Sequence, residues 1–501
     1  MEPLLLGLDI GTSSCKAALF HADGTVNASE TAAYAVYHPK PGWAEQDPEE
    51  WWEALCGAVQ GLLESSGIDP RRIAGVGATG QSWSAIPVSK DGAVLCGTPI
   101  WMDTRAAGVC DELRKRIGEK AIFNCGGNPL QPSYTLPKIL WYKKHVPQVY
   151  DKADKILQSN SFIAYRLTGE MTQDLSQGYG LQCFDILRGA WNTALCRDIG
   201  IRASLLPDIA ACHQIIGTVT KQAALQTGLV PGIPVVAGGL DAACGTLGAG
   251  VLHDGETQEQ GGQAGGMSIC MEHCHADPRL ILSRHVVPDR WLLQGGTVGG
   301  GGVMRWFEAE LGAAERETAA VKGTGSLREI DGLARQVPPG SEGLVFLPYM
   351  AGERSPIWNP AAKGVYFGLD FSKTRGHMAR AAMEGVAYSL RHNLTVAREA
   401  GAKVNRLRAM GGAANSRLWT QIKSDVTGRP IDVPASDTAT TLGAALLAGV
   451  AVGVYRNFQD AVDRTVSIQR SHQPNKGLKA CYDEGYETYL RLYEQLQPLM
   501  R

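Results

Sequence analysis

The sequence predicts a two-domain α/β protein, and three observations carry that reading. The chain has 501 residues, too many for one ordinary hydrophobic core. Short apolar runs alternate with helical periodicities from end to end. A strand, a glycine turn and a returning strand at residues 4–20 recur after Gln258, around Gly261-Gly262-Gln263-Ala264-Gly265-Gly266.

The elements follow in order. Leu4 to Ile10 reads as a buried strand, Gly11-Thr12-Ser13-Ser14 as its turn, and Cys15 to Phe20 as the returning strand. Asp23-Gly24 is a hairpin signal leading to a third strand, about Thr25 to Thr31. Asp47 is a good N-cap, Pro48 suits the first helical position, and Glu50 would complete a capping box. That helix runs to Ser66 and stops at Gly67. Ile73 to Ala78 is a strand ending in the polar loop Thr79-Gly80-Gln81-Ser82-Trp83-Ser84, and open α/β sheets bind ligands at such ends. Thr98 to Met102 reads as a strand, followed by Asp103, Arg105 and a helix to Ile117; Asp103 either caps that helix or meets a ligand. Further helices carry Lys138 to Trp141 and Ser159 to Leu167, and Asp174 to Cys212 shows no clear pattern.

Ile233 to Ala237 is a short buried strand that hands over, through Gly238-Gly239-Leu240-Asp241, to a helix of small residues. Two readings stand for Asp241: a helix N-cap, or a general base at the floor of a cleft. Leu292 to Val303 enters a helix, Met304 to Leu311, through a bare glycine turn. That turn is not a Walker A loop, since no Lys-Ser/Thr follows, and it lacks the βαβ unit of a dinucleotide fingerprint. A long helix spans His377 to Ala400. The strand Leu407 to Met410 ends in Gly411-Gly412-Ala413-Ala414-Asn415, where bare backbone could take a flat ring and Asn415 could read it or cap the next helix. Helices at Trp419 to Thr427, Thr440 to Val452 and Tyr482 to Leu496 complete the chain.

Composition narrows the function. The chain is 44% hydrophobic and 20% charged with a net charge of −2, so it carries no nucleic-acid footprint and no basic membrane face. No apolar stretch reaches membrane-spanning length, and Leu4 to Leu8 is too short for a signal peptide. Twelve scattered cysteines without a Cys-x-x-Cys pair predict reduced thiols in a cytoplasmic protein. Cys270-Met271-Glu272-His273-Cys274-His275 holds metal-ligand types with no matching second half and reads as a strand end.

Taken together, these segments resemble the FGGY carbohydrate kinases of the actin/sugar-kinase/Hsp70 superfamily, with xylulokinase-type members nearest. The similar segments are Gly7 to Ser13, Trp43 to Pro48, Trp101 to Arg105, Ser133 to Trp141, Gly364 to Glu384 and Gly411 to Asn415. The resemblance implies two ribonuclease-H-like domains, 1–247 and 248–501, flanking a deep cleft. It implies ATP and Mg²⁺ as cofactors, a small sugar as substrate, and room for a homodimer. Asp241 falls on the catalytic base, and Asp9 with Asp241 on the metal acids. Thr12, Ser13 and Lys16 fall on the first phosphate turn. Gly262, Gln263, Gly301, Gly411, Gly412 and Asn415 fall at the nucleotide. Gln81, Ser82, Trp83, Asp103 and Arg105 supply the hydrogen-bonding and flat surfaces a sugar needs. The implied reaction is phosphorylation of a small sugar hydroxyl, D-xylulose at its terminal hydroxyl first. Another pentulose, an aldonate, a polyol or a sugar-binding pseudokinase remain as alternatives.

Three departures mark this chain. Ser82-Trp83-Ser84 stands where many xylulokinases have Met-His-Gly, Ala242 where Asn is common, and Gly262-Gln263-Ala264 where Gly-Thr-Ser is common. The first two bear on the sugar. The third bears on a hydroxyl contact to phosphate, which Gln263 and backbone amides could replace.

Overall fold

The computed structural model describes residues 2–436 and 438–500. Its frame is two seven-stranded mixed sheets. The first contains β1 (Leu4–Ile10), β2 (Ser14–Phe20), β3 (Val26–Ala33), β4 (Ile73–Gly80), β5 (Ile215–Thr218), β6 (Pro234–Val236) and β7 (Gly239–Leu240). Their order is β5-β6-β4-β1-β2-β3, with β7 also on β4. The second contains β8 (Glu256–Gly261), β9 (Gly265–Met271), β10 (Ile281–Arg284), β11 (Trp291–Thr297), β12 (Arg406–Met410), β13 (Ile431–Pro434) and β14 (Ile468–His472), in the order β10-β11-β9-β8-β12-β13-β14. Each sheet repeats one motif. A hairpin, β1/β2 or β8/β9, is antiparallel inside, and its first strand runs parallel to a later strand, β4 or β12.

Central strands covered on both faces read as continuous apolar runs. Leu4, Leu6, Leu8 and Ile10 of β1 pack with Trp51, Leu55 and Leu62 of α1 (Pro48–Ser66). The alternate positions, Leu5, Gly7 and Asp9, face the other way. Asp47 caps α1 by accepting the Glu49 N–H (2.9 Å). The expected capping box does not form, because Glu50 takes the Tyr37 hydroxyl instead (2.6 Å). The strand expected over Thr98 to Met102 is only Thr98–Pro99, since a turn closes behind it with the Asp103 N–H on the Ile100 carbonyl (3.0 Å).

Between β4 and β5 lie α2 (Thr135–His145), in a satellite lobe with its own apolar core, and α3 (Ser159–Thr168), which packs on the first sheet. After β7 comes α4 (Asp241–Gly248). In the second half α5 (Gly301–Leu311) and α6 (Ser326–Arg335) pack on α7 (Arg375–Glu399), which with α8 (Arg417–Thr427) contacts the second sheet. One element crosses over: α9 (Ala439–Ala451), late in the chain, lies on β1, β4 and α4 of the first half. Glycines permit that approach. A Cβ on Gly7 would stand 2.0 Å from the Thr441 carbonyl oxygen, and one on Gly77 2.0 Å from that of Ala444. Gly248 and Gly443 are pressed as tightly, each against the other helix's backbone. No helix of the described residues is long and apolar enough to cross a membrane.

Candidate active site

The first glycine turn is held from outside. The Gly11 N–H donates to the Ser14 carbonyl (3.0 Å), and the Tyr34 hydroxyl donates to the Gly11 carbonyl (2.6 Å). Gln46 donates its amide to the Thr12 carbonyl (2.7 Å), and the Trp101 indole N–H donates to Thr12 Oγ1 (3.0 Å). Thr12 thus keeps its hydroxyl proton for a ligand, and Ser13 is exposed. Half-buried Lys16 sits opposite Asp9 across the β1/β2 ladder.

Asp9, the last residue but one of β1, has one carboxylate oxygen fully buried and without a hydrogen-bond partner. Burial pushes its carboxyl up to about 8; the Asp241 charge adds to the rise and Lys16 opposes it. Asp241 is the first residue of α4 and does not cap it, as the local reading allowed. Its Oδ1 takes only the next residue's N–H, Ala242 (2.6 Å). Burial pushes Asp241 up to about 6, against the pull of that N–H. The Asp241 charge is thus felt at Asp9, and the orphaned Asp9 oxygen fits a hard divalent cation. Among the described residues no cluster of three or more metal-ligating side chains exists, at Cys270–His275 or elsewhere.

Behind Asp241 lies a buried network that the sequence did not reveal. The Leu240 N–H donates to Ser176 Oγ (2.9 Å), which donates to Asp174 Oδ1 (2.5 Å). Asp174 also takes the N–H groups of Ser176 (2.9 Å) and Gln177 (3.0 Å) and the Asn160 amide (3.0 Å). The backbone that delivers Asp241 is therefore fixed from below.

The loop after β4 begins with Gln81, whose amide donates to Gln46 Oε1 (2.7 Å) and whose own buried Oε1 has no partner. Ser82 is half-buried. Trp83 has φ +63°, a left-handed conformation unusual for a bulky side chain. Its ring is 8% exposed and stands 4.4 Å from Tyr134 and 6.1 Å from Tyr179 between centroids. Lys138 on α2, fully buried, donates to the Trp83 carbonyl (2.9 Å) and the Ile100 carbonyl (2.7 Å). Burial pulls its amine down to about 7.

Asp103 and Arg105 are placed differently from expectation. Asp103 is fully buried and accepts the Ala44 N–H (2.8 Å) and the Arg105 guanidinium (2.7 Å). Arg105 also pairs with Glu45 (2.5 Å) and lies over Trp43 (3.8 Å) and Trp141 (5.1 Å). A buried carboxylate persists only when paired, and this pairing consumes both groups. They brace the wall of the site instead of offering polar atoms to a sugar. Asp103 caps no helix either: that helix starts at Ala107, after Ala106.

The second glycine turn is built from backbone. Gly301 and Gly302 at the start of α5 donate their N–H groups to the carbonyls of Gly262 (2.7 Å) and Gln263 (2.9 Å). Gly261, Gly262, Gln263, Gly301, Gly412 and Asn415 line one cavity of about 790 Å³. Gly411, with φ +82°, turns the chain into it. Ser416, not Asn415, caps α8 by accepting the Trp419 N–H (3.0 Å), which leaves Asn415 free at the cavity wall. Met304, Met383 and Trp419 give the cavity an apolar side, and Arg305, Arg328, Arg335 and Arg417, unforeseen in the sequence, give it a cationic one. Flat apolar walls with arginines at the edge suit a nucleotide.

With this geometry in place, comparisons with known proteins are specific. Residues 4–248 match the N-terminal domain of the FGGY family of carbohydrate kinases, and residues 275–452 match its C-terminal domain. Xylulose kinase of Escherichia coli K12 is 30% identical over 500 residues, covering 99% of this chain and all of that protein. Gluconokinase of Bacillus subtilis is 30% identical over 502 residues, covering 100% of this chain and 96% of that one. The crystal structure of xylulose kinase from Rhodospirillum rubrum superposes with a TM-score of 0.91 at 31% identity, covering 99% of both chains.

Proposed function

The chain belongs to the FGGY family of carbohydrate kinases, and on that premise we propose that it transfers the γ-phosphoryl group of ATP to the terminal hydroxyl of D-xylulose. The observation that carries the mechanism is Asp241, a carboxylate brought up to about 6 beside a second acid, Asp9, at the join of the first sheet and α4. A base with that value is ionised at neutral pH yet basic enough to accept a hydroxyl proton. The lobe of residues 1–247 holds the sugar against Gln81, Ser82 and Trp83. The lobe of 248–501 grips ATP in the arginine-edged cavity, with Gln263 replacing the more usual hydroxyl beside the phosphates. Thr12, Ser13 and Lys16 steady the γ-phosphate, and Asp241 takes the proton as the hydroxyl attacks. Asp9 and Asp241 would hold Mg²⁺, which supplies charge neutralisation at the phosphates when bound. Closure of the lobes excludes water, the competing acceptor.

Xylulose is favoured over other sugars by the full-length similarity to xylulose kinases. The equal identity to a gluconokinase motivates one second reading, an aldonate. Twelve free cysteines support a cytoplasmic setting. ADP release with Mg·ATP across pentuloses, hexuloses, aldonates and polyols decides the substrate. D-Xylulose should stimulate most; a preference for gluconate would select the second reading, and sugar-independent hydrolysis would overturn both.

A further inference from the structure

We infer that Arg354 is a catalytic residue of phosphoryl transfer, a cation carried by the second half of the chain that meets the γ-phosphoryl group as it passes from nucleotide to sugar. This rests on the kinase reading above, and it starts from an anomaly. Two other deeply placed arginines are neutralised by carboxylates, Arg105 by Asp103 (2.7 Å) and Arg380 by Glu384 (2.9 Å). Among the described residues Arg354 belongs to no ion pair. Its Nε is fully buried without a partner, and the one hydrogen bond of the guanidinium is a long contact from Nη2 to the Thr297 carbonyl (3.5 Å).

Its position explains what the missing partner is. Glu353 pins the segment by accepting the N–H groups of Val298 (2.7 Å) and of Arg354 itself (2.8 Å). The guanidinium then lies on the bare backbone of Gly296 in β11, where an added Cβ would come within 3.1 Å of its central carbon. Gly296 pairs with Gly266, next to the second glycine turn. On its other side the guanidinium stands 5.7 Å from the Trp101 ring, the same indole that donates to Thr12 Oγ1 (3.0 Å) in the first glycine turn. Arg354 therefore bridges the two turns that come from opposite halves of the chain. Burial pulls its pKa down from the ordinary value. The neighbouring Glu353 carboxylate opposes that shift but is engaged by backbone N–H groups and forms no ion pair with the guanidinium, so the cation is costly as it stands, and a phosphoryl anion between the two turns removes that cost.

In the transfer, the sugar oxygen bonds to the γ-phosphorus. The bond from that phosphorus to the β,γ-bridging oxygen breaks, with its electron pair leaving on ADP, and the hydroxyl proton passes to Asp241. Arg354 exchanges no proton and forms no covalent bond. Its planar fork of N–H donors follows the charge on the phosphoryl oxygens, a contribution that an arginine can make worth about 10³-fold in rate.

The test is Arg354→Ala, assayed for ADP release with the best sugar, together with nucleotide and sugar binding by calorimetry. We expect kcat to fall by about 10²-fold or more, with both binding constants within about threefold of wild type. Free guanidinium ion should restore part of kcat to the variant and none to wild type, a response that a purely structural role would not give. Arg354→Lys keeps the charge and stem and decides the question if the alanine variant does not fold: its kcat should be reduced with KM for the sugar unchanged. An unimpaired kcat, a loss confined to KM for the sugar, or a loss that guanidinium does not touch would overturn the assignment. Absence of wild-type turnover with every sugar would instead overturn the kinase reading.

Discussion

The two glycine turns share a hairpin frame and differ in what fills it. In the first, side chains surround the turn: Asp9, Lys16, Thr12 and the bracing amide of Gln46. In the second, backbone meets backbone, with Gly301 and Gly302 closing on Gly262 and Gln263. Side chains bring charge and titration, so the first turn is suited to chemistry. Bare backbone brings fixed dipoles and close approach, so the second is suited to grip.

The strongest way to break this division is Asp241→Asn. We expect kcat to fall by about 10³-fold with nucleotide affinity unchanged, measured by ADP release and calorimetry. In the wild type, kcat/KM should fall as pH drops below about 6, because the base must be ionised to accept a proton. A variant that turns over normally, or that loses nucleotide binding instead, would erase the distinction. Next in size is Gly301→Val. Any Cβ there stands 2.7 Å from the Gly262 carbonyl oxygen, so the second turn must open. Nucleotide affinity should weaken by about tenfold or more, roughly 1.4 kcal/mol, while sugar affinity holds; equal loss of both would show that the turns are not separable.

A change in stability, measured without turnover, sharpens the first turn's electrostatics. Asp9 is raised to about 8 in the folded chain, above its value unfolded, so the native state binds the extra proton between about pH 4 and 8. Stability of the ligand-free protein should decline as pH rises through that window. Asp9→Asn should flatten the decline, read as Tm against pH. An identical slope in the variant would mean that the acid does not carry the strain.

Much of this was legible from residue order, and the parts that were not share a cause. Asp47-Pro48 and Gly67 announce both ends of α1, because caps are local. The two glycine turns and Asp241 stand out for the same reason: strand, turn and helix signals lie within ten residues. Asp103 and Arg105 misled, since their residue types suit a sugar and only tertiary packing reveals that Glu45, Trp43 and Trp141 enclose them. Asp174 and Ser176 went unplaced because their segment folds into short pieces without periodicity. Arg354 gave no signal at all: its meaning depends on Trp101, Gly296 and Thr12, which are remote in sequence.

The late helix α9, seated on β1, has a consequence for how the protein is made. The face of β1 that carries Leu5 and Gly7 is covered by residues 439–451. At roughly 5–20 residues per second, a ribosome needs on the order of half a minute or more to travel from one to the other. The first sheet is thus synthesised without its lid, and the nascent chain must wait, one apolar face open, for its own ending.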